Sequence, residues 1–385
     1  MLKNVTDSVF YVGVDDKDID LFENQYIVPN GIAYNSYVIM DEKIAIMDMV
    51  DAKCADQWFA NVAEVLGDRQ PDYLIISHLE PDHSANLGDV LAKYPDIKIV
   101  SNVKLFGMLP NFFEVPVADR SVTVAEGQTL SLGSHTLQFF MAPMVHWPEV
   151  MVTYEQSEKI LFSADAFGKF GTLDTDEDWA CEARRYYFNI VGKYGMPAQA
   201  LLGKAAGLDI QKICALHGPI LTENLEYYIG KYQLWSTYTP EDEGIFIAYC
   251  SLHGNTEKAA KKLAEILEAK GAPKVAISDL SRDDMAECIE DAFRYDRLVL
   301  AAPTYDGGVM PVMADFINHL KMKAYQKRKV AFIENGSWAP MAAKLMKEQM
   351  SAMKDIEIVD EHVTIRSAFK QSDVAALEAL AGKLL

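Results

Sequence analysis

The sequence predicts an α/β protein with two domains, and three observations support this. Its 385 residues exceed what a single hydrophobic core usually organises. The first part mixes strand-like and helix-like segments, whereas short apolar strands alternate with amphipathic helices from residue 245 onward. Such alternation is typical of a parallel sheet covered by helices on both faces. The polar stretch at about 233–244 is the predicted linker, and it separates domains of residues 1–243 and 245–385.

The elements can be assigned in chain order from hydrophobic patterning. β-Branched and aromatic residues split by turn residues predict strands within 26–40 and 43–50, and an amphipathic helix follows at about 56–66. Later apolar or alternating segments predict two strands and a hairpin, at 73–77, 97–101 and 129–142. In the second domain, strands separated by helices are predicted at 245–250, 275–278, 297–303, 329–333 and 358–359.

The composition excludes several classes of function. A net charge of −20 argues against binding to a nucleic-acid backbone, which needs clustered Lys and Arg. The five cysteines are scattered and contain no C-x-x-C pair, so we expect no disulfide framework, zinc ribbon or attached rubredoxin module. The N-terminus lacks the apolar core of a signal peptide, and no apolar run reaches membrane-spanning length. We therefore expect a cytoplasmic protein with no membrane partner.

A stretch rich in metal-binding side chains follows the predicted strand at 73–77. Residues 77–87 read S-H-L-E-P-D-H-S-A-N-L. Ligands often gather on loops at the carboxyl ends of strands. In an extended loop, positions 78, 80 and 82 would point the same way, and the next residue adds a fourth donor. The alternative is a solvated acidic loop with two incidental histidines. The candidate ligands are His78, Glu80, Asp82 and His83.

Three later residues occupy equivalent places at strand ends. They are His146 in A-P-M-V-H-W-P, Asp165 in L-F-S-A-D-A-F and His217 in I-C-A-L-H-G-P. Taken singly, each has an ordinary alternative as a core histidine or a capping acid. Together with the first stretch they give four histidines and three carboxylates, enough for two metals that share one carboxylate. This ligand set suits iron or manganese, whereas zinc sites rely more on His and Cys.

The order and spacing of these residues resemble those of the flavodiiron proteins, within the metallo-β-lactamase superfamily. The motif H-x-E-x-D-H is followed after 62 residues by His146, after 18 more by Asp165, and after 51 more by His217. The first two intervals match the family, and the last is shorter than in its best-known members. The resemblance implies an αββα sandwich in which His78, Glu80 and His146 hold one iron, Asp82, His83 and His217 hold the other, and Asp165 bridges them. In some members the residue matching His83 does not bind iron.

The second domain carries a candidate phosphate loop and two further loops after predicted strands. The first loop, S-L-H-G-N-T, joins a strand to a helix, whose exposed N–H groups can bind an anion. An ordinary helix cap is the alternative for this loop, and exposed rings are the alternative for the aromatic residues of the other two. The three loops converge at strand ends, where ligands bind in doubly wound sheets. The candidate residues are Ser251, His253, Gly254, Asn255, Thr256, Pro303, Thr304, Tyr305, Asp306, Gly307, Asn335, Gly336, Ser337 and Trp338.

This half resembles flavodoxin, which implies flavin mononucleotide (FMN) with its phosphate in the 251–256 loop. The flavodoxin pattern is T-x-T-G-N-T, and here Ser251 and His253 replace the two early threonines. No G-x-G-x-x-G motif appears, which disfavours a dinucleotide-binding domain.

The two resemblances together cover nearly the whole chain and imply a flavodiiron reductase. Its substrates would be O2, reduced to water, or NO, reduced to N2O, at two non-haem irons supplied with electrons by FMN. An external donor such as rubredoxin is implied, because no donor module is attached. In the family a head-to-tail homodimer, or a dimer of such dimers, places the flavin of one subunit beside the iron pair of the other. Trp147 is then a candidate for the wall between the cofactors, with a core tryptophan as the alternative, and Tyr26 for the substrate pocket.

Two rival functions remain open from the sequence. A zinc hydrolase with a regulatory flavodoxin half is disfavoured by Glu80, which stands where lactamases carry histidine, and by a flavin that hydrolysis does not need. An electron carrier with an inactive first domain is disfavoured by the complete ligand set. The sequence does not distinguish O2 from NO as the preferred substrate.

Overall fold

The structure is a computed structural model and describes residues 4–385. The chain divides into two compact units, one ending at Gln233 and one spanning Leu234–Leu385. Both units mix helices and strands, which confirms the predicted α/β class.

The first unit contains two sheets. Over the described residues, a six-stranded sheet has the order β1-β6-β7-β8-β9-β10 and a five-stranded sheet has the order β11-β12-β13-β14-β15, and two short ribbons pair β2 with β5 and β3 with β4. The strands are β1 (Val9–Tyr11), β2 (Val14–Asp16), β3 (Leu21–Phe22), β4 (Tyr26–Ile27), β5 (Ile32–Tyr34), β6 (Tyr37–Ile39), β7 (Ala45–Met47), β8 (Tyr73–Ile75), β9 (Lys98–Asn102), β10 (Ser121–Val124), β11 (Thr129–Ser131), β12 (Thr136–Met141), β13 (Met151–Glu155), β14 (Ile160–Phe162) and β15 (Lys212–Cys214).

Seven α-helices are found in the described chain before the first strand of the second unit. They are α1 (Ala55–Leu66), α2 (Pro81–Ser84), α3 (Leu87–Lys93), α4 (Val103–Met108), α5 (Trp179–Tyr186), α6 (Gly195–Ala205) and α7 (Leu225–Ser236). A π-helical turn at Tyr187–Val191 continues α5. Short 3-10 turns lie at Ala52–Cys54, Leu109–Asn111, Ala118–Arg120 and Gly192–Tyr194.

Alternation along the strands explains how this unit forms layers. In β6, Tyr37 and Ile39 point into a core shared with Phe139 of β12 and Met151 of β13, so this core lies between the two sheets. Val38 points the other way, into a core that includes Trp58 of α1 and the buried side chains of α3 and α4. The β11–β12 hairpin predicted at 129–142 is confirmed by its antiparallel register.

The second unit has a parallel sheet in the order that open doubly wound folds use. Its main path is β17-β16-β18-β20-β21, which numbered from its own first strand reads 2-1-3-4-5. The elements are β16 (Asp242–Tyr249), α8 (Asn255–Ala269), β17 (Val275–Asp279), α9 (Met285–Arg294), β18 (Tyr295–Tyr305), β19 (Gly308–Val309), α10 (Pro311–Met322), β20 (Lys329–Asn335), α11 (Ala342–Ser351), β21 (Glu357–Ile358), β22 (Val363–Ile365) and α12 (Val374–Leu384), with a 3-10 turn at Gln371–Asp373.

Helices cover both faces of this sheet. Ile245, Ile247 and Tyr249 of β16 pack with α8 and α12 on one face. Phe246, between them in sequence, points to the other face, where its ring lies 6.5 Å from that of Phe316 in α10. The uninterrupted apolar strands follow from this burial on both faces.

The predicted linker differs from the observed connection. Helix α7 continues to Ser236 and β16 begins at Asp242, so only 237–241 lies outside regular structure. The ring of Trp235 is buried and its Nε1 donates to the Glu241 carboxylate at 2.7 Å, which explains the longer helix. Among the helices of residues 4–385, none is long and apolar enough to cross a membrane.

Candidate metal centre and phosphate-binding pocket

The seven predicted metal ligands meet at one place, on the connections that follow four strands. The first four follow β8, which ends at Ile75, and the others follow β12, β14 and β15. The expectation of an extended loop through 78–82 is wrong, because Pro81 begins the helical turn α2 and Glu80 is its N-cap. Proline suits the first helical position, since its φ is preset and its missing N–H is not needed there.

The first group of side chains gathers around a Glu80 oxygen. Its Oε2 lies 3.1 Å from Nε2 of His78 and 3.1 Å from Nε2 of His146. Oδ2 of Asp165 lies 3.5 Å and 3.7 Å from the same two nitrogens. Two imidazoles and two carboxylates therefore face a common point.

The second group has the same composition. Oδ2 of Asp82 lies 3.2 Å from Nε2 of His83 and 3.3 Å from Nε2 of His217. The other oxygen of Asp165, Oδ1, lies 3.4 Å and 3.6 Å from these two nitrogens. The two oxygens of Asp165 thus face different groups, which is the arrangement that a bridging carboxylate requires.

Several buried polar atoms of these groups lack hydrogen-bond partners among the described residues. They are both side-chain oxygens of Asp82, both ring nitrogens of His83, Oδ2 of Asp165 and Nε2 of His217. Burying such atoms without partners costs about 1–3 kcal/mol each. Cations would bind those that face the two groups, among them Nε2 of His83 and Nε2 of His217, so the residues present fit a two-metal centre.

The charges of the site influence one another strongly. Burial alone would lower the pKa of His78, but Asp165 and other nearby carboxylates raise it well above its ordinary value. Burial likewise opposes protonation of His83, yet Asp82 and Asp165 raise its pKa to about 9. The field of the carboxylates therefore favours positive charge at this place, whether carried by protons or by metal ions.

Residues behind the ligands fix their orientation. His78 Nδ1 lies 2.8 Å from Oε1 of Glu149, which also accepts from the backbone N–H of Leu79 at 3.0 Å. His217 donates from Nδ1 to the carbonyl oxygen of Ala33 at 2.8 Å, which leaves its Nε2 lone pair facing the site. The hydroxyl of Tyr186 donates to Oδ1 of Asp165 at 3.1 Å.

The sequence reasoning missed Glu149, Tyr186 and one further acid, Glu23. The signal for Glu149 was an acid just before the apolar V-M-V strand, three residues after a predicted ligand. No local signal marks Tyr186. Glu23 has ligand atoms within 4.8 Å of those of Glu80 and His146, although it lies far from them in sequence.

Trp147 and Tyr26 are half-buried. The Trp147 ring stands edge-on to His78, with centroids 5.0 Å apart, and lies 5.9 Å from the ring of Phe112. The Trp147 ring thus packs against a ligand of the first group while remaining half-buried, and its place between the cofactors stays a prediction. Tyr26 donates from its hydroxyl to the carbonyl oxygen of Asn189 at 3.1 Å.

The three predicted loops of the second unit line one cavity of about 560 Å³. Leu252, Ala339 and Ser367 also line it and were missed. Gly254 and Tyr305 were predicted and are not among the lining residues. Tyr305 pairs with Gly308 in the β18–β19 ribbon, and its ring is exposed. The predicted residues that line the cavity are Ser251, His253, Asn255, Thr256, Pro303, Thr304, Asp306, Gly307, Asn335, Gly336, Ser337 and Trp338.

The loop before α8 has the features of a phosphate cradle. Gly254 adopts φ +78° at the N-cap, a left-handed conformation that glycine adopts without strain. The helix therefore begins with its first N–H groups unpaired at one end of the cavity. The Ser251 hydroxyl oxygen is buried and has no hydrogen-bond partner among the described residues, so it is available to a bound anion.

Hydrogen bonds tie the other loops together. Oγ1 of Thr304 accepts from the backbone N–H groups of Met341 and Ala342, at 2.9 and 3.1 Å. The side chain of Asn335 exchanges two hydrogen bonds with the backbone of Ser367. Trp338 is 85% exposed, so its ring is available to cover a planar ligand.

Two family models match the chain, one for each unit. The "ODP family beta lactamase" matches residues 32–218 and the "Flavodoxin domain" matches residues 246–372. The nitric oxide reductase of Moorella thermoacetica is 29% identical over 93% of this chain and 91% of its own. The rubredoxin oxygen:oxidoreductase of Desulfovibrio gigas superposes with a TM-score of 0.92 at 25% identity, over 100% of this chain and 98% of that one. The flavodiiron protein of Giardia intestinalis has the same fold, with a TM-score of 0.92 at 22% identity, over 100% of this chain and 96% of that one.

Proposed function

This chain belongs to the flavodiiron proteins, and we propose that it reduces dioxygen, nitric oxide or both at a non-haem di-iron site supplied with electrons by FMN. The observation that carries the proposal is Asp165, whose two oxygens face two matched groups of ligands. The phosphate cradle in the second unit supports the flavin.

The proposed ligand sets follow the two groups. His78, Glu80 and His146 would hold one iron, with one oxygen of Asp165 facing it. Asp82, His83 and His217 would hold the other, with the second oxygen of Asp165 facing that group. Iron bound there would supply a centre for reducing O2 to water or two NO to N2O and water, with electrons that bound FMN would provide singly or in pairs.

The protein's own contribution is orientation in a dry site. Glu149 fixes the ring of His78, and the Ala33 carbonyl fixes the tautomer of His217. Tyr186 holds one oxygen of Asp165 in place. Because most of these side chains are buried, little reorganisation is needed when the charge of the site changes.

The electron donor and the assembly are part of the proposal. We propose an external donor such as rubredoxin, in keeping with the similarity to the rubredoxin oxygen:oxidoreductase of Desulfovibrio gigas. We propose a head-to-tail homodimer, or a dimer of dimers, in which flavin and iron of different subunits meet. The cytoplasmic location expected from the sequence stays a prediction.

The test is the gas consumption of the full-length protein loaded with Fe2+ and FMN and reduced chemically. We expect it to consume O2, NO or both. Asp165→Asn should keep FMN but bind less iron, and its rate of gas consumption should fall at least about 100-fold. The reason is that the carboxylate shared by the two ligand groups is replaced by a neutral amide. Asp209→Asn, which changes an exposed acid of the same unit, is the control and should behave like the parent.

Three results would overturn the proposal. The first is a functional protein that contains two zinc ions and no iron, which would indicate the zinc hydrolase considered above. The second is reduced, fully loaded protein that consumes neither gas, which would indicate an electron carrier. The third is full reductase activity in Asp165→Asn with both irons retained.

A further inference from the structure

Glu23 is an acidic residue beside the metal centre that the seven-ligand assignment leaves unused. Its carboxylate forms a third group with Glu80 and His146, and the ligand atoms of all three lie within 4.8 Å of one another. Among these three, Glu23 is the exposed member and His146 the buried one, so Glu23 stands on the solvent side of the first group.

The hairpin that carries Glu23 is fixed on both sides. Phe22, at the end of β3, is buried, and its ring lies 5.4 Å from the ring of His217 and 5.6 Å from that of Phe170. On β4, the hydroxyl of Tyr26 holds the carbonyl oxygen of Asn189. The turn between them therefore projects over the metal centre from a packed base.

The turn itself does not favour glutamate. Gln25 donates from its backbone N–H to the Phe22 carbonyl oxygen at 3.1 Å, and the two central residues, Glu23 and Asn24, have φ of +48° and +60°. Turns with two left-handed central positions prefer Asn, Asp and Gly. The glutamate is therefore not explained by local backbone preference.

The carboxylate of Glu23 is also oriented. The amide Nε2 of Gln25 donates to its Oε2 at 3.0 Å, which leaves Oε1 available. Two carboxylates, Glu23 and Glu80, are thereby held close together, which is unfavourable while both are ionised and which a proton or a bound cation would relieve.

The charge of the enlarged set matches a pair of divalent ions. With Glu23 the site has four carboxylates and four neutral histidines. Its formal charge of −4 would therefore be balanced by the +4 of two ferrous ions. The additional oxygen donor lies on the side of the first group only, because the group of Asp82, His83 and His217 does not include Glu23. The two metal positions would then differ in how many protein donors they receive.

We propose that Glu23 is a further metal ligand, completing the position formed by His78, Glu80 and His146. This rests on the di-iron centre proposed above. Glu23 would hold this metal from the solvent side, whereas the group of Asp82, His83 and His217 receives no donor from it. The donor added is a carboxylate oxygen, which favours iron or manganese over softer cations.

The test is Fe2+ binding to the full-length protein after chelation, followed anaerobically by calorimetry and metal analysis. The parent should bind two Fe2+. Glu23→Gln, which keeps the size of the side chain, should weaken one of the two by about 10- to 100-fold and leave the other unchanged. Asp20→Asn, which removes an exposed carboxylate at the start of the same hairpin, is the matched control and should bind as the parent does.

A second variant separates the carboxylate from the turn. Glu23→Gly suits the left-handed conformation better than glutamate does, so it should preserve the hairpin yet lose the same affinity as Glu23→Gln. Two Fe2+ bound by Glu23→Gln with the affinities of the parent would overturn the ligand role alone. A parent protein that binds fewer than two Fe2+ would overturn the di-iron centre as well.

Discussion

Glu149 is a residue whose effect reaches the metal only through another side chain. It is buried, and its carboxylate accepts hydrogen bonds from the ring of His78 and from the backbone N–H of Leu79. Burial opposes its ionisation, but the hydrogen bond and charge of His78 outweigh burial and lower the pKa of Glu149. Glu149 therefore stays an acceptor that directs Nε2 of His78 toward the metal.

We predict that Glu149→Gln weakens iron binding without removing a ligand. The neutral amide accepts a weaker hydrogen bond from His78, so the imidazole becomes a poorer donor to the metal. Iron retention against a chelator should fall about 10- to 100-fold. Glu114→Gln, an exposed acid of the same unit, is the control, and equal retention in both variants would contradict the role given to Glu149.

At the residue scale, the sequence indicated the ligands better than their supports. The seven ligands lie at strand ends and belong to types with few other reasons to be there, so pattern alone grouped them. Glu23 and Tyr186 reach the site from a hairpin and from a helix, and their positions depend on packing that no local pattern encodes. Their sequence neighbourhoods resemble those of ordinary surface or core residues.

The start of α8 is the element that prepares the second unit for its cofactor. Three of its features point to one anion: the left-handed Gly254, the unpaired N–H groups of the first turn, and the buried hydroxyl of Ser251. Asn255 is already engaged in the fold, because its Oδ1 accepts from the backbone N–H of Phe369 at 3.2 Å. Ser251 is therefore the clearer test of phosphate binding.

We predict that Ser251→Ala lowers FMN affinity by about 10- to 150-fold, which corresponds to the ~1.5–3 kcal/mol of one hydrogen bond to a charged group. Fluorescence titration of flavin into the apoprotein measures this. Ser281→Ala changes an exposed serine of the same unit and should leave the affinity unchanged. If Ser251→Ala binds FMN as tightly as Ser281→Ala does, the hydroxyl does not contact the phosphate.

At the element scale, the predicted secondary structure was wrong where a single residue changed the local conformation. Residues 78–82 were expected to be extended because their ligands alternate, yet Pro81 starts a helical turn that the alternation does not reveal. The linker was expected to start at 233, but α7, which carries the buried Trp235, continues to Ser236. Polar composition alone did not indicate that one large ring would hold this segment in a helix.

The two units of the molecule have separate cores and separate cofactor needs. Within one chain, the proposed iron ligands all belong to the first unit, and the cavity proposed for FMN is lined only by residues of the second unit. A ligand that binds only the folded state stabilises it by about 2.7 kcal/mol at 100 times its Kd. Each cofactor should therefore stabilise its own unit.

We predict two separable unfolding transitions in calorimetry of the full chain. Chelating iron should lower one melting temperature by about 5–10 °C, and removing FMN should lower the other by a similar amount. Protein that retains both cofactors is the reference. One common transition that shifts with either cofactor would contradict independent units.

At the scale of the whole molecule, the second unit was the easier to predict. Regular alternation of strands and helices predicted a parallel, doubly wound sheet, and the structure confirms it. The first unit's sheet order was not predictable, because many of its strands have only two or three residues and pair with partners distant in sequence. Short apolar segments do not specify which neighbour they join.

The single helical turn α2 sets a mechanical property of the centre. Glu80, which opens the turn, belongs to one metal position, while Asp82 and His83, inside it, belong to the other. The spacing of the two positions is thus governed by covalent geometry over a few residues. His146, Asp165 and His217 lie on connections of the second sheet, so a displacement of one sheet relative to the other would move these three relative to the turn. The turn α2 therefore fixes the spacing of the two metal positions, and the second sheet supplies the remaining ligands of both positions.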